Sequence, residues 1–381
     1  MLFNGGERIE EATAHAVAAL RAVATTEYDW TVPAGGLEWS CLTTAEHIAS
    51  DFTAYAAQLT GRTAGTGAYV PMDIRLDEGT DADGAVRVIE ASAGLLAAVV
   101  RTTPRGVRGY HPYPSGSADA AAFAAMGVVE LLLHTYDVLR AFDVAYEPPA
   151  ELCEALLARQ FADVPPARDG EDHWRVLLWA TGRGPREGHG HRERWRWHNP
   201  LHLPAGPVEL VEVAPDAAAD LAEGGTGGFV WAEGGPYQGS RGAAGRTAKG
   251  YAAGTHRPEW GMFAVVRTED QLAVGAMGFH GVPGEDGWAE VGYDLVPAAR
   301  GNGYATAALQ ALSTWALSRP AAPDATGTSA SPAGPAGPTV KGLRGLADPG
   351  NAPSHGVLTR SGFTRVADRG DAATFERPRE A

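Results

Sequence analysis

The sequence predicts two domains, an all-α four-helix bundle followed by an α/β domain. At 381 residues the chain exceeds one ordinary core, since domains run to roughly 100 to 200 residues each. Apolar residues recur at helical spacing four times before residue 143. Strand-like and helical segments alternate after residue 208, and one of them joins strand, glycine turn and helix without a break.

The first helix spans about Glu7 to Ala24, with Ile9, Ala12, Ala16, Ala19, Leu20 and Val23 along one face. Thr43 or Thr44 is placed to cap a second through Ile48, Phe52, Tyr55 and Leu59. Val86, Ile89, Leu95, Leu96 and Val99 carry a third, ending before Pro104. A fourth, long and mostly apolar, runs from Ala118 to Phe142. Four helices with long irregular connections predict a bundle, whose core can host a metal.

Within the fourth helix, Glu130 and His134 stand at i and i+4, so they share a face that is otherwise apolar. Burying both is costly unless they pair or bind an ion. His47, on the second helix, can complete a His, Glu, His set with an open position, a reasonable catalytic zinc shell. A plain buried Glu/His pair is the competing reading. Asp51 and Asp137 can orient such ligands, although solvated or capping carboxylates are the simpler reading.

From Gly182 to Pro204 the composition turns to Arg, His and Trp. The expectation is a solvated arginine-rich segment whose tryptophans pack on a neighbour, then a linker near Pro204 to Pro207. His189 and His191 are weaker metal-ligand candidates.

In the second half, Glu209 to Val213 reads as a strand and Asp216 to Ala222 as a short helix. Gly224 to Gly235 is a glycine-rich connection with the makings of a lid. A helix from Ser240 to Ala253 precedes a hairpin, Gly261 to Arg267 with Leu272 to His280. Then comes E-V-G-Y-D-L-V-P-A-A-R-G-N-G-Y-A-T-A-A-L, Glu290 to Leu309. It places a glycine loop at a helix start, where unpaired amides and the helix dipole favour an anion. Residues 320–338 are a low-complexity Pro/Ala/Ser stretch, read as a disordered insertion. Val340 to Leu346 resumes the sheet, Pro353 to Ser361 is helical, and Phe363 to Phe375 closes with a hairpin.

A net charge of -15 argues against general affinity for nucleic acid or an anionic membrane. Two cysteines, Cys41 and Cys153, allow no disulfide framework. With no signal-like N-terminus and no long uncharged apolar window, the expected location is the cytoplasm. Arginine dominates lysine, which occurs only at Lys249 and Lys341, and with heavy Ala/Gly usage this fits a high-GC bacterial genome.

Arg300, Gly303 and Ala305, with N-A-P-S-H-G-V-L-T-R-S-G-F at Asn351 to Phe363, resemble the signatures of the GNAT acetyltransferase superfamily. The resemblance implies a GNAT fold over 206–381, with a mixed and mainly antiparallel sheet. It implies acetyl-CoA held by Arg300, Gly301, Asn302, Gly303, Tyr304 and Ala305, by Asn351 and Ser354, and by a backbone amide near Leu295 or Val296. Acetyl transfer needs a base, a polarised carbonyl and a proton for the leaving thiolate. Glu290 is the candidate base. Many GNAT enzymes carry a tyrosine acid where this chain has Leu358, so Tyr304 or His355 stands as a substitute, or the thiolate leaves without an acid.

W-S-C-L-T-T-A-E-H-I-A-S-D-F and the later V-V-E-L-L-L-H-T-Y-D resemble the mycothiol-dependent maleylpyruvate isomerase family, within the DinB-like bundles. That resemblance covers about 7–203 of a domain taken as 1–203, and carries His47, Glu130 and His134 over as metal ligands. It implies zinc or another divalent metal, with mycothiol as the thiol such a metal activates. The combined expectation is an acetyl-CoA-dependent N-acetyltransferase for a small-molecule or peptide amine, fused to a metal-binding domain. A thiol-dependent isomerase or S-transferase, with the second domain as cofactor sensor, is one alternative. A non-catalytic ligand-binding or resistance module is the other.

Overall fold

The computed structural model describes residues 5–112, 116–318, 340–366, 368 and 370–380. The chain divides into two compact units, Met1–Asn199 and Pro200–Ala381. The expected low-complexity insertion at 320–338 lies outside the described residues.

In the first unit α1 (Gly5–Val23), α2 (Cys41–Thr60), α3 (Ala82–Thr102) and α4 (Ala120–Arg140) form the bundle. A short ribbon, β1 (Arg108–Gly109) with β2 (Ala118–Asp119), leads into α4. Two further helices, α5 (Ala150–Gln160) and α6 (His173–Ala180), extend the core. The cap of α2 is Ser40 rather than Thr43 or Thr44: its Oγ accepts from the Thr43 amide at 3.1 Å, while Thr44 bonds back to the Ser40 carbonyl. Asp81 and Asp119 cap α3 and α4 in the same way.

By length and composition α4 could cross a membrane, but its apolar window is 89% buried inside the bundle. A helix apolar on every side is what the centre of a bundle requires. The Arg/Trp segment departs from its expectation. Trp195 and Trp197 do pack on Phe161, at 6.0 and 5.8 Å between ring centres, but Arg186 is buried. Its guanidinium reaches Glu171 and the Pro165 and Pro166 carbonyls, all at 2.8 Å, because a planar fork of donors can satisfy several acceptors at once.

The second unit is an eight-stranded sheet in the order β3-β4-β5-β6-β7-β8-β10-β9. Its strands are β3 (His202–Ala205), β4 (Val208–Glu212), β5 (Met262–Arg267), β6 (Ala273–Phe279), β7 (Trp288–Leu295), β8 (Gly342–Ala347), β9 (Thr364–Arg365) and β10 (Ala373–Pro378). Among the described residues four α-helices join them: α7 (Pro215–Ala222), α8 (Gln238–Ala252), α9 (Tyr304–Ser318) and α10 (Ala352–Arg360). Every pairing between these strands is antiparallel except β7 with β8.

Residues 200–203, assigned from sequence to the first domain, belong here. The supposed linker is a hairpin turn: Ala205 pairs with Val208 across Gly206, whose φ of +64° suits glycine. The presumed lid is tied down as well, because Val230 and Ala232 exchange hydrogen bonds with Ala273 at the start of β6.

Candidate functional site

Two places concentrate chemistry, one in each unit. In the first, α2 supplies His47 and one face of α4 supplies Glu130 and His134, and one donor atom from each lies within 4.8 Å of the others. His134 Nε2 is 3.1 Å from Glu130 and His47 Nε2 is 3.9 Å from it. Asp137 and Asp51 are not solvated caps. Asp137, buried, lies 3.0 Å from His134 Nδ1 and accepts from Arg183, and Asp51 lies 3.3 Å from His47 Nε2. Asp137 behind the His134 ring leaves Nε2 facing Glu130, whereas Asp51 shares Nε2 of His47 with Glu130. Trp39 sets its ring edge-on to His47 at 4.9 Å, and a hollow of about 290 Å³ opens beside it, with Glu46, Ser50, Asp73 and Arg75 on its walls.

Burial dominates the electrostatics of this cluster. It holds His47 below the ordinary imidazole value, and with the neighbouring Glu130 charge it pushes Asp51 well up. Burial opposes charge on His134 too, but hydrogen bonds to Asp137 and Glu130 raise it to about 9. Glu130 and Asp137 are drawn below the carboxylate range despite burial, by His134 and Arg183. His189 and His191 join no such cluster among the described residues.

In the second unit, β7 pairs with β8 only from Trp288 to Val291, so the two strands part after that point. A cleft of about 260 Å³ lies there, with α8 residues on one side, Ser354 and Leu358 of α10 on the other, and His280, Glu290, Gly292 and Tyr293 along the sheet. Where β7 ends, the loop Arg300 to Gly303 turns into α9 with φ of +81° at Gly301 and +78° at Gly303. The amides from Gly301 to Thr306 donate to no partner among the described residues. Arg300 is held by its own chain, Nε to the Leu295 carbonyl at 3.1 Å, with its guanidinium over the Tyr237 ring. Open amides, a helix N-terminus and a fixed cation make an anion cradle.

Residues 210–364 match the family described as acetyltransferase (GNAT) domain. The second unit is a GNAT acetyltransferase domain. Residues 9–139 match the mycothiol maleylpyruvate isomerase N-terminal domain, which identifies the bundle. No curated protein matches the chain. Among solved structures, a GNAT-family acetyltransferase from Bacillus anthracis shares 14% identity, covering 48% of this chain and 100% of its own, with a TM-score of 0.31. An acetyltransferase from Agrobacterium tumefaciens shares 21%, covering 51% and 99%, with a TM-score of 0.29. A ribosomal-protein-S5-alanine acetyltransferase from Vibrio fischeri shares 12%, covering 47% and 97%, with a TM-score of 0.32.

The GNAT domain sorts the residues expected at its site. Glu290 lines the cleft, and so does Ser354. Tyr304 and His355 do not: Tyr304 lies against Arg267, and His355 Nε2 sits 3.0 Å from the Asp348 carbonyl. Val296 donates its amide to Val274 at 2.9 Å, so strand alternation leaves Leu295, not Val296, turned toward the open edge of β7. Asn351 caps α10 by accepting from the Ser354 amide at 3.1 Å. Leu358, at the position where the GNAT resemblance implies a tyrosine acid, is buried with its side chain on the Gly345 backbone.

Two partners escaped the sequence. His280 Nδ1 lies 2.6 Å from Glu290, a pairing set by the β6–β7 register. The Tyr293 hydroxyl is 2.7 Å from Ser354 Oγ, across 61 positions of chain.

Proposed function

We propose that the protein is an acetyl-CoA-dependent N-acetyltransferase acting on a small-molecule or peptide amine. The observation that carries this is the unpartnered run of amides from Gly301 to Thr306 beside Arg300, at the end of a strand that parts from its neighbour. The pyrophosphate takes the amides and the thioester lies along the open edge of β7, where the Leu295 amide faces the carbonyl oxygen. Glu290 and His280 form the proton-accepting side of the cleft. With Leu358 unable to donate, the Tyr293–Ser354 hydroxyl pair supplies the proton for the leaving thiolate, and it replaces Tyr304 and His355 in that role.

Arg300→Glu puts a carboxylate beside the cradle, and acetyl-CoA affinity measured by calorimetry should fall by at least about 100-fold, roughly 2.7 kcal/mol. Unchanged affinity would remove the loop from cofactor binding. Wild-type release of coenzyme A, followed over a panel of small amines and peptide N-termini, should reveal the acceptor class.

The bundle reads as a metal site in its own right, on the convergence of its three donors. His47, Glu130 and His134 suit a divalent ion, zinc by the mix of imidazole and carboxylate. Bound there, the metal would hold a low-molecular-weight thiol such as mycothiol as its thiolate. The thiol comes from outside the chain, since burial pushes Cys41 up to about 11 and Cys153 to about 12. Two buried free thiols suit the reducing cytoplasm.

A further inference from the structure

We infer that His280, not Glu290, is the group that takes the proton from the acceptor amine, and that Glu290 positions it. This rests on the acetyltransferase reading and assigns the roles inside that site. His280 follows the last residue of β6, and its Nδ1 lies 2.6 Å from Glu290 Oε1. The register beside them, Phe279 opposite Val291, places the two residues across from each other, and the His280 amide also donates to the Glu290 carbonyl at 2.9 Å. A carboxylate accepting from Nδ1–H leaves Nε2 as the ring's free lone pair.

That nitrogen has a defined place. A Cβ built on Gly292 would stand 2.6 Å from His280 Nε2, so the imidazole lies directly over this glycine. Gly292 is also the first β7 residue beyond the last pairing with β8, where the strand edge opens. The lone pair is therefore held at the opening, while the Glu290 carboxylate is turned back onto Nδ1. In the reaction Nε2 accepts a proton from the amine nitrogen as its electron pair forms the C–N bond. The carbonyl π pair moves onto oxygen and returns as the C–S bond breaks. The sulfur leaves with that pair and takes a proton from the Tyr293–Ser354 hydroxyl pair, which solvent reprotonates, while His280 releases the amine's proton to solvent.

The test joins a resonance that needs no acceptor to a rate that does. In wild type with acetyl-CoA, nitrogen-15 spectra should show neutral His280 protonated at Nδ1, and Glu290→Gln should shift that tautomer signature. His280→Gln should lower kcat at least about 100-fold with acetyl-CoA affinity unchanged, and Glu290→Gln should lower it less, because general bases contribute 10² to 10⁴. An Nε2-protonated ring in wild type, or a Glu290→Gln loss exceeding that of His280→Gln, overturns the assignment. If no amine turns over, the acetyltransferase reading fails, while the tautomer still decides how Glu290 holds the ring.

Discussion

In the bundle the three donors project from the interiors of two regular helices, and every one of them has a second carboxylate or imidazole against it. In the GNAT cleft the reactive groups stand where regular structure stops: at the end of β6, at the opening of β7, and at the start of α10. The difference shows in exposure, with His134 at 7% of its side chain and His280 at 42%. Helix interiors fix side chains well but bury them, so such a cluster needs an ion or a full set of counter-charges. Strand ends leave groups wet and accessible, so a cleft relies on one or two partners to aim each of them.

The sharpest break in this comparison is His134→Ala. It removes one proposed metal ligand and strips Glu130 and Asp137 of a shared partner in the core. Metal measured by mass spectrometry in protein purified without chelator should drop from near stoichiometric to background. Urea unfolding of the bundle should lose about 3 kcal/mol, the scale for removing one member of a buried charged pair. Acetyl-CoA affinity should not change. Stoichiometric metal in the variant would reduce Glu130 and His47 to ordinary core polar residues.

What the sequence made legible follows the same division. Glu130 and His134 share a face by helical period alone, and Arg300 to Ala305 declare an anion loop by spacing alone. Both relations are local. His280 with Glu290 needs the register of the β6–β7 hairpin, and Tyr293 with Ser354 or Asp137 with Arg183 needs the tertiary fold. One signal was within reach, since a hairpin closing near Glu285–Gly287 sets His280 opposite Glu290. Tyr304 misled because its position in the motif fixes its backbone, not the direction of its ring. Residues 200–203 were misplaced because Pro204 and Pro207 read as a linker, when they flank a glycine turn between paired strands.

A smaller change probes the cleft side alone. Gly303 has φ of +78° and open space where a Cβ would stand, so Gly303→Ala introduces backbone strain without a clash. A left-handed residue costs about 1–2 kcal/mol outside glycine, so acetyl-CoA affinity should fall roughly tenfold by calorimetry. Bundle metal should stay as in wild type. Wild-type affinity in this variant would mean that the loop's conformation is not what presents the amides.

The smallest expected effect asks how far the bundle's reliance on paired charge extends toward its edge. Glu171 is bound by the buried Arg186, whose hydrogen bonds hold its carboxyl down to about 2 from an ordinary 4.5. A depressed folded value means that the pairing stabilises above the ordinary carboxylate range and is lost as pH falls through the window from 4.5 to about 2. Wild type should exceed Glu171→Gln in urea midpoint at pH 7, by about 1 kcal/mol or less after solvent screening. That gap should close by pH 2. No gap at pH 7 would show that Arg186 is anchored by the Pro165 and Pro166 carbonyls rather than by charge, and would confine the bundle's charge-pair dependence to the cluster around His134.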